Sequence, residues 1–262
     1  MEQICEDFGA ELSAHWNRHV RGGGSVERFN GKLRFRNTDT RSDQYSNAQI
    51  DDYQGQRRAR FPWRPPLTLT VRARFSHAAG ELRGTAGFGF WNDPFLMTER
   101  RPPTLPRAIW FFYASPPSDM KLDLEVPGSG WKAASIDALR PVSLVLAALA
   151  LPAVLAMNAC SLYRLFWPTI QAALNIEERT LGVPMTAWHT YRIEWGTERS
   201  RFLVDEEPVL ENSPSPRGPL GFVMWLDNQY MVVKPWGRLG WGLLDSHGSQ
   251  WVDTAELKIR SE

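Results

Sequence analysis

Residues 141–163, PVSLVLAALALPAVLAMNACSLY, carry no charge, yet alternating polar and apolar runs typical of β-strands lie on both sides of them. At ~1.5 Å rise per residue, a helix of that length approaches the ~30 Å hydrocarbon core of a bilayer. Strands of one sheet, however, pair backbone to backbone and must lie on the same side of any membrane. A single crossing would part strands that belong together. The stretch is therefore expected to fold back as an insertion within a β-domain.

The flanking segments carry the strand signals. Ser25–Arg36 sets Asn30-Gly31 between two alternating runs, a hairpin signal because both residues accept the positive φ of a tight turn. Leu67–Phe75, LTLTVRARF, alternates apolar residues with Thr and Arg and predicts a half-buried antiparallel strand. Thr85–Trp91 and Ala108–Tyr113 are apolar on both faces, which predicts central strands. Beyond the insertion, His189–Trp195 and Arg201–Val204 flank a polar turn at 196–199. Gly221–Leu226 reads as a buried strand, 234–248 as a Gly/Trp-rich loop and Trp251–Ile259 as a closing strand. Short strands every ~8–12 residues predict a mainly β sandwich or barrel.

Between these blocks, Ser135–Asn175 is Ala- and Leu-rich, with Ser135 placed as an N-cap and Asp137 in a first turn. Pro141, Pro152 and Pro168 each remove a backbone donor and predict kinks or breaks. Two or three helices are expected, ending at Gly182-Val183-Pro184. Their apolar surface has three solutions: burial against the β-domain, a dip into one membrane leaflet through residues 141–167 with Tyr163, Arg164, Phe166 and Trp167 at the interface, or pairing with a second copy.

Composition narrows the function classes. Net charge is +1, from 30 basic and 29 acidic residues, so no overall field favours nucleic acid. The basic runs at 56–60 and 99–101 read as solvated loops. Cys5 and Cys160 stand far apart without CxxC or Cys/His spacing, so neither a zinc site nor a disulfide is expected. No cofactor fingerprint occurs. The opening MEQICEDFGAEL has acidic residues and no apolar core, which argues against a secretory leader and for a cytoplasmic protein, peripheral to a membrane if the insertion touches lipid. Twelve tryptophans and thirteen phenylalanines point to thick aromatic packing or an aromatic-lined binding face.

Trp188-His189-Thr190-Tyr191-Arg192-Ile193-Glu194-Trp195, followed by Arg201-Phe202-Leu203-Val204-Asp205, resembles the WHTY-IEW…FYVDG stretch of concanavalin A-like lectin/glucanase proteins, glycoside hydrolase family 16 in particular. Trp251–Ile259 is similar to that family's terminal VDYVRVY strand, and Asp7-Phe8 through Gly31-Lys32-Leu33 looks like its first hairpin. The resemblance covers 4–131 and 185–262. It implies a two-sheet antiparallel β-sandwich of jelly-roll type; with the hydrophobic α-helical insertion read above at about 135–183, one domain is expected over 1–262.

The same resemblance implies where a family hydrolase keeps its E-x-D-x-x-E carboxylates. Laid on Pro106–Tyr113, the three positions fall on Arg107, Ile109 and Phe112, and no acid lies between Arg100 and Asp119. Retaining glycosidase chemistry at that place is not expected. The groove is expected to present Trp91, Trp110, Phe112, Tyr113 and Trp225, with Asp227 and Asn228 at its end. These form the candidate site for a hydrophobic small molecule or a glycan, unless the insertion plugs the groove and turns them into core. Two function classes remain: a non-hydrolytic binding protein, or an enzyme on an apolar substrate such as a cyclisation or isomerisation. Asp227, Asp93 or His77 would then move the proton. Turn chemistry accounts equally for Asp227-Asn228 and for Asn92-Asp93-Pro94. No Gly-x-Ser-x-Gly, phosphate loop or HExxH is present.

Overall fold

A computed structural model of the chain describes residues 3–9, 11–94, 101–120, 122–139, 160–234 and 239–261. In chain order the strands begin with β1 (Gln3–Glu6), β2 (Asn17–Arg21), β3 (Gly24–Phe29), β4 (Lys32–Thr38) and β5 (Asn47–Asp51). They continue with β6 (Leu67–Phe75), β7 (Thr85–Trp91), β8 (Arg107–Ala114), β9 (Asp119–Met120) and β10 (Gly130–Asp137). Helix α1 (Cys160–Ala173) follows, and then β11 (Glu177–Thr180), β12 (His189–Trp195), β13 (Arg199–Val204) and β14 (Glu207–Pro214). The chain closes with β15 (Gly221–Asp227), β16 (Gln229–Val233), β17 (Leu239–Leu243) and β18 (Ser249–Ser261).

Two antiparallel sheets stack into a sandwich. One runs β14-β13-β12-β6-β18-β4-β3, with β1 also on β18; the other runs β11-β10-β8-β7-β15-β5-β2. Alternation explains the layers. In β6, the apolar positions Leu67, Leu69, Val71, Ala73 and Phe75 are all buried, while Thr and Arg between them face outward. The sheets meet through aromatic edges, among them Phe88 on Tyr191 at 5.3 Å and Phe111 on Phe202 at 5.4 Å. Asn30 and Gly31 link β3 to β4 with φ of 51° and 69°, the turn that the Asn-Gly pair predicts.

Strands from both sides of the insertion share each sheet. β6 pairs with β12 and β18, and β15 sits between β5 and β7. The expected insertion is shorter in regular structure than 135–183. Ser135 is no helix cap: it lies in β10, whose residues 130–137 pair in register with β8, and its Oγ shares a hydrogen bond with Ser213 Oγ at 2.6 Å. At the far end β11 has already rejoined β10, ahead of Gly182-Val183-Pro184. Residues 140–159, with Pro141 and Pro152, lie outside the described residues.

α1 runs through Pro168 without ending there. Tyr163, Trp167, Ile170 and Leu174 recur at helical spacing and pack on Leu122, Leu124 and Ile136, so both halves are anchored by one face. Trp167 Nε1 also donates to the Leu122 carbonyl at 2.9 Å. The expected loop at 234–248 contains β17, which pairs with β16; β16 in turn lies parallel to β9 in a small three-stranded sheet. No helix among the described residues is long and apolar enough to cross a membrane.

Candidate functional site

The outer face of the second sheet is built from the residues that the core does not take. In β8, Ile109, Phe111 and Tyr113 point into the sandwich, and Ala108, Trp110 and Phe112 point outward. In β7, Phe88 and Phe90 go inward, leaving Gly87, Gly89 and Trp91 outside. The glycines clear room for rings: a Cβ on Gly87 would come within 2.9 Å of Trp225 Cη2, and one on Gly89 within 2.6 Å of Trp110 Cβ. Gly221 leaves similar space for Tyr53.

On this floor the indoles of Trp91 and Trp225 lie parallel, with centroids 6.4 Å apart. Trp110 approaches Trp225 at 5.6 Å and stacks on Phe112 at 5.3 Å. Trp91 Nε1 donates to Tyr53 Oη at 2.8 Å. The groove is neither wide open nor filled. Above the aromatic floor a cavity of about 160 Å³ remains, walled by Ile136 and Pro106, with Met120, Leu122, Tyr230, Met231 and Val233 over it. Its roof among the described residues is therefore β16 with Met120 and Leu122. α1 packs on Leu122 and Ile136 and so lies beside the cavity rather than over it.

The polar end is Asp227, Thr85, Gln49 and Gln229. Asp227 Oδ1 accepts from Thr85 N at 3.3 Å, Thr85 Oγ1 at 2.8 Å and Gln229 N at 3.0 Å. Burial pushes its carboxyl up to about 6, against the pull of those hydrogen bonds. Trp225 Nε1 donates to Thr85 Oγ1 at 2.9 Å, so an indole–hydroxyl–carboxylate chain fixes the ring.

Sequence reasoning placed Trp91, Trp110, Phe112, Trp225 and Asp227 together, and the structure does bring them to one cavity. Tyr113 is a correction: the same alternation that exposes Phe112 turns it into the core, where its hydroxyl donates to the Leu82 carbonyl and accepts from Gly80 N. Asn228 is a second. Its amide donates to the carbonyls of Arg41, Gln44 and Leu244 and accepts from Ser46 N, so it braces loops. Asp93 lies away from the cavity, paired with Arg101 Nη1 at 2.7 Å. His77 Nδ1 hydrogen-bonds Ser76 Oγ at 2.7 Å and does not line it either.

Thr85, Gln49 and Val223 were missed, although the spacing of two from Trp91 and Trp225 would have found Thr85 and Val223. The roof residues gave no local signal. No cluster of three metal-ligating side chains occurs among the described residues.

No family model matches the chain, and no curated protein matches it. Solved structures match along its whole length. One belongs to the endo-acting O-glycanases that prominent members of the human gut microbiota express to initiate mucin breakdown: TM-score 0.53, 12% identity, covering 99% of this chain and 98% of that one. A β-1,3-1,4-glucanase (lichenase) derived from a mouse hindgut metagenome aligns at TM-score 0.53 and 14% identity over 100% of both chains. A GlcNAcα1-4Gal-releasing endo-β-galactosidase from Clostridium perfringens aligns at TM-score 0.53 and 12% identity; 98% of this chain spans 61% of that longer one. At such identities the likeness is one of fold alone, a two-sheet antiparallel jelly-roll sandwich.

Proposed function

We propose that this jelly-roll protein binds a hydrophobic or glycan-bearing ligand in its aromatic groove and does not hydrolyse it. The observation that carries the reading is the outward face of β8, which is Ala108, Trp110 and Phe112. β8 keeps regular register with both neighbours, so the alignment on Arg107, Ile109 and Phe112 is replaced by these three positions. Neither set contains a carboxylate. Glycosidases flank the scissile bond with two carboxyl groups, about 5–5.5 Å apart when retaining and about 6.5–9.5 Å when inverting. Among the described residues the cavity is lined by one, Asp227.

The test pairs turnover with binding. Assays on β-1,3/1,4-glucans, agar and carrageenan oligosaccharides should give no product above buffer. Apolar probes and glycans should change tryptophan fluorescence in the native chain and not in Trp110→Ala. Turnover of any of these polysaccharides would overturn the non-hydrolytic reading.

A second reading rests on Asp227 itself. A buried carboxyl titrating near 6 suits proton transfer at neutral pH. On that reading Asp227→Asn loses turnover of an apolar substrate but keeps its binding. Contact with a membrane or a second copy is supported by the outward residues of α1, Leu162, Leu165 and Phe166, which are 36%, 66% and 42% exposed. Liposome flotation and gel filtration of Leu165→Lys test it.

A further inference from the structure

Six carboxylates are buried among the described residues, and five of them are compensated within the protein. Asp253 is held by Arg34 and Arg74, Asp137 by Arg107 and Arg217, and Asp93 by Arg101. Asp52 faces His15 at 3.9 Å, with Trp63 Nε1 and Phe222 N donating to it. Asp51 accepts on both oxygens from Asn17, Gln49, Tyr53 and Gln54. Asp227 differs. Like Asp51 it has only neutral donors, but they are three hydrogen bonds that all end on Oδ1, where Asp51 accepts five over both oxygens. Among the described residues, no Lys, Arg or His lines its cavity. Among the described residues, the titratable groups beside it are Tyr45, whose hydroxyl burial and Asp227 itself keep protonated, and Tyr230 from β16, which lines the same cavity.

A buried charge is ordinarily paired, and a carboxylate without a cation at the end of an aromatic cavity has the chemistry of an ammonium site. Indole faces attract cations through the ring quadrupole, and Trp110 and Trp225 stand on the same floor. The cavity volume of about 160 Å³ is that of a site for one aromatic ring, comparable to the roughly 150 Å³ engineered cavity that takes benzene.

We propose that the groove takes an arylalkylammonium ligand, its apolar ring among Trp91, Trp110 and Phe112 and its cationic nitrogen against Asp227 and the face of Trp225. The inference rests on the aromatic groove being a binding site and adds the charge and size of what enters it. The nitrogen supplies a counter-charge that none of the described residues gives Asp227. Gln49 and Gln229 line the same polar end.

Titration of the full-length protein with 2-phenylethylamine and its neutral counterpart 2-phenylethanol, followed by calorimetry and tryptophan fluorescence, separates the two claims. At pH 7.5 the amine should bind at least tenfold more tightly than the alcohol. That preference should shrink as pH falls from 7.5 to 5, because protonated Asp227 no longer attracts the cation. Asp227→Asn should erase the preference and leave alcohol binding intact. The pH series on the native protein decides the matter should that variant fold poorly. Alcohol binding equal to amine binding at pH 7.5 overturns the ammonium assignment while leaving the groove as a site. Binding of neither compound, with fluorescence unmoved, overturns both.

Discussion

Asp227 shows how one side chain couples stability to the site. Its folded carboxyl titrates at about 6, above the ordinary 3.8, because burial disfavours the charge. The folded protein therefore binds more protons than the unfolded chain between pH ~4 and ~6, and this group's contribution to stability falls as pH rises through that window. Two pKa units correspond to about 3 kcal/mol. Asp227→Asn keeps an oxygen for Thr85 and Gln229, so it should stabilise the protein by about 1–3 kcal/mol at pH 7.5 and by little at pH 4. Urea unfolding at the two pH values checks this; equal effects at both would show that the native carboxyl titrates normally. Tyr113 gives the contrasting case. Tyr113→Phe should cost about 1–2 kcal/mol through Leu82 and Gly80 while leaving ligand-induced fluorescence changes intact, because the ring faces the core.

Among the elements, β7 and α1 carry opposite lessons. The Gly87 and Gly89 positions make β7 weak in side-chain packing on its outer face, and that is what lets Trp225 and Trp110 lie close to the sheet. Gly87→Ala sets a Cβ against the Phe111 carbonyl and the Trp225 ring. It should cost about 1–3 kcal/mol by overpacking and displace the indole, read as a lower melting temperature with altered tryptophan emission. α1 holds on by one stripe. Trp167→Ala should lose about 3–5 kcal/mol of side-chain burial and free the Leu122 carbonyl. Hydrogen exchange should then rise in 160–174 and at 120–124 while the sandwich strands stay protected. Unchanged exchange at 120–124 would mean that α1 does not support the cavity wall.

At the scale of the whole molecule, both sheets are stitched from segments on either side of the insertion, since β6 lies between β12 and β18 and β15 between β5 and β7. A fragment ending at residue 138 would expose the unpaired edges of β6 and β7 and should not unfold cooperatively, as followed by circular dichroism in urea; a cooperative transition would argue for two domains. The strand pattern was legible because alternation at a period of two is local: LTLTVRARF, the Asn-Gly turn and the closing strand need no partner to declare themselves. The resemblance around Trp188–Trp195 then supplied the sandwich topology. Two things were decided only in three dimensions. Parity against the core chose Phe112 over Tyr113, because a run apolar on both faces does not say which face looks inward. The cavity roof joins β16 with Met120 and Leu122, more than a hundred positions apart, which meet through a parallel pairing of β9 with β16. Ser135 reads as a helix cap by composition, yet backbone pairing along all of β10 outweighs a local preference worth about 1 kcal/mol, and it lies in a strand.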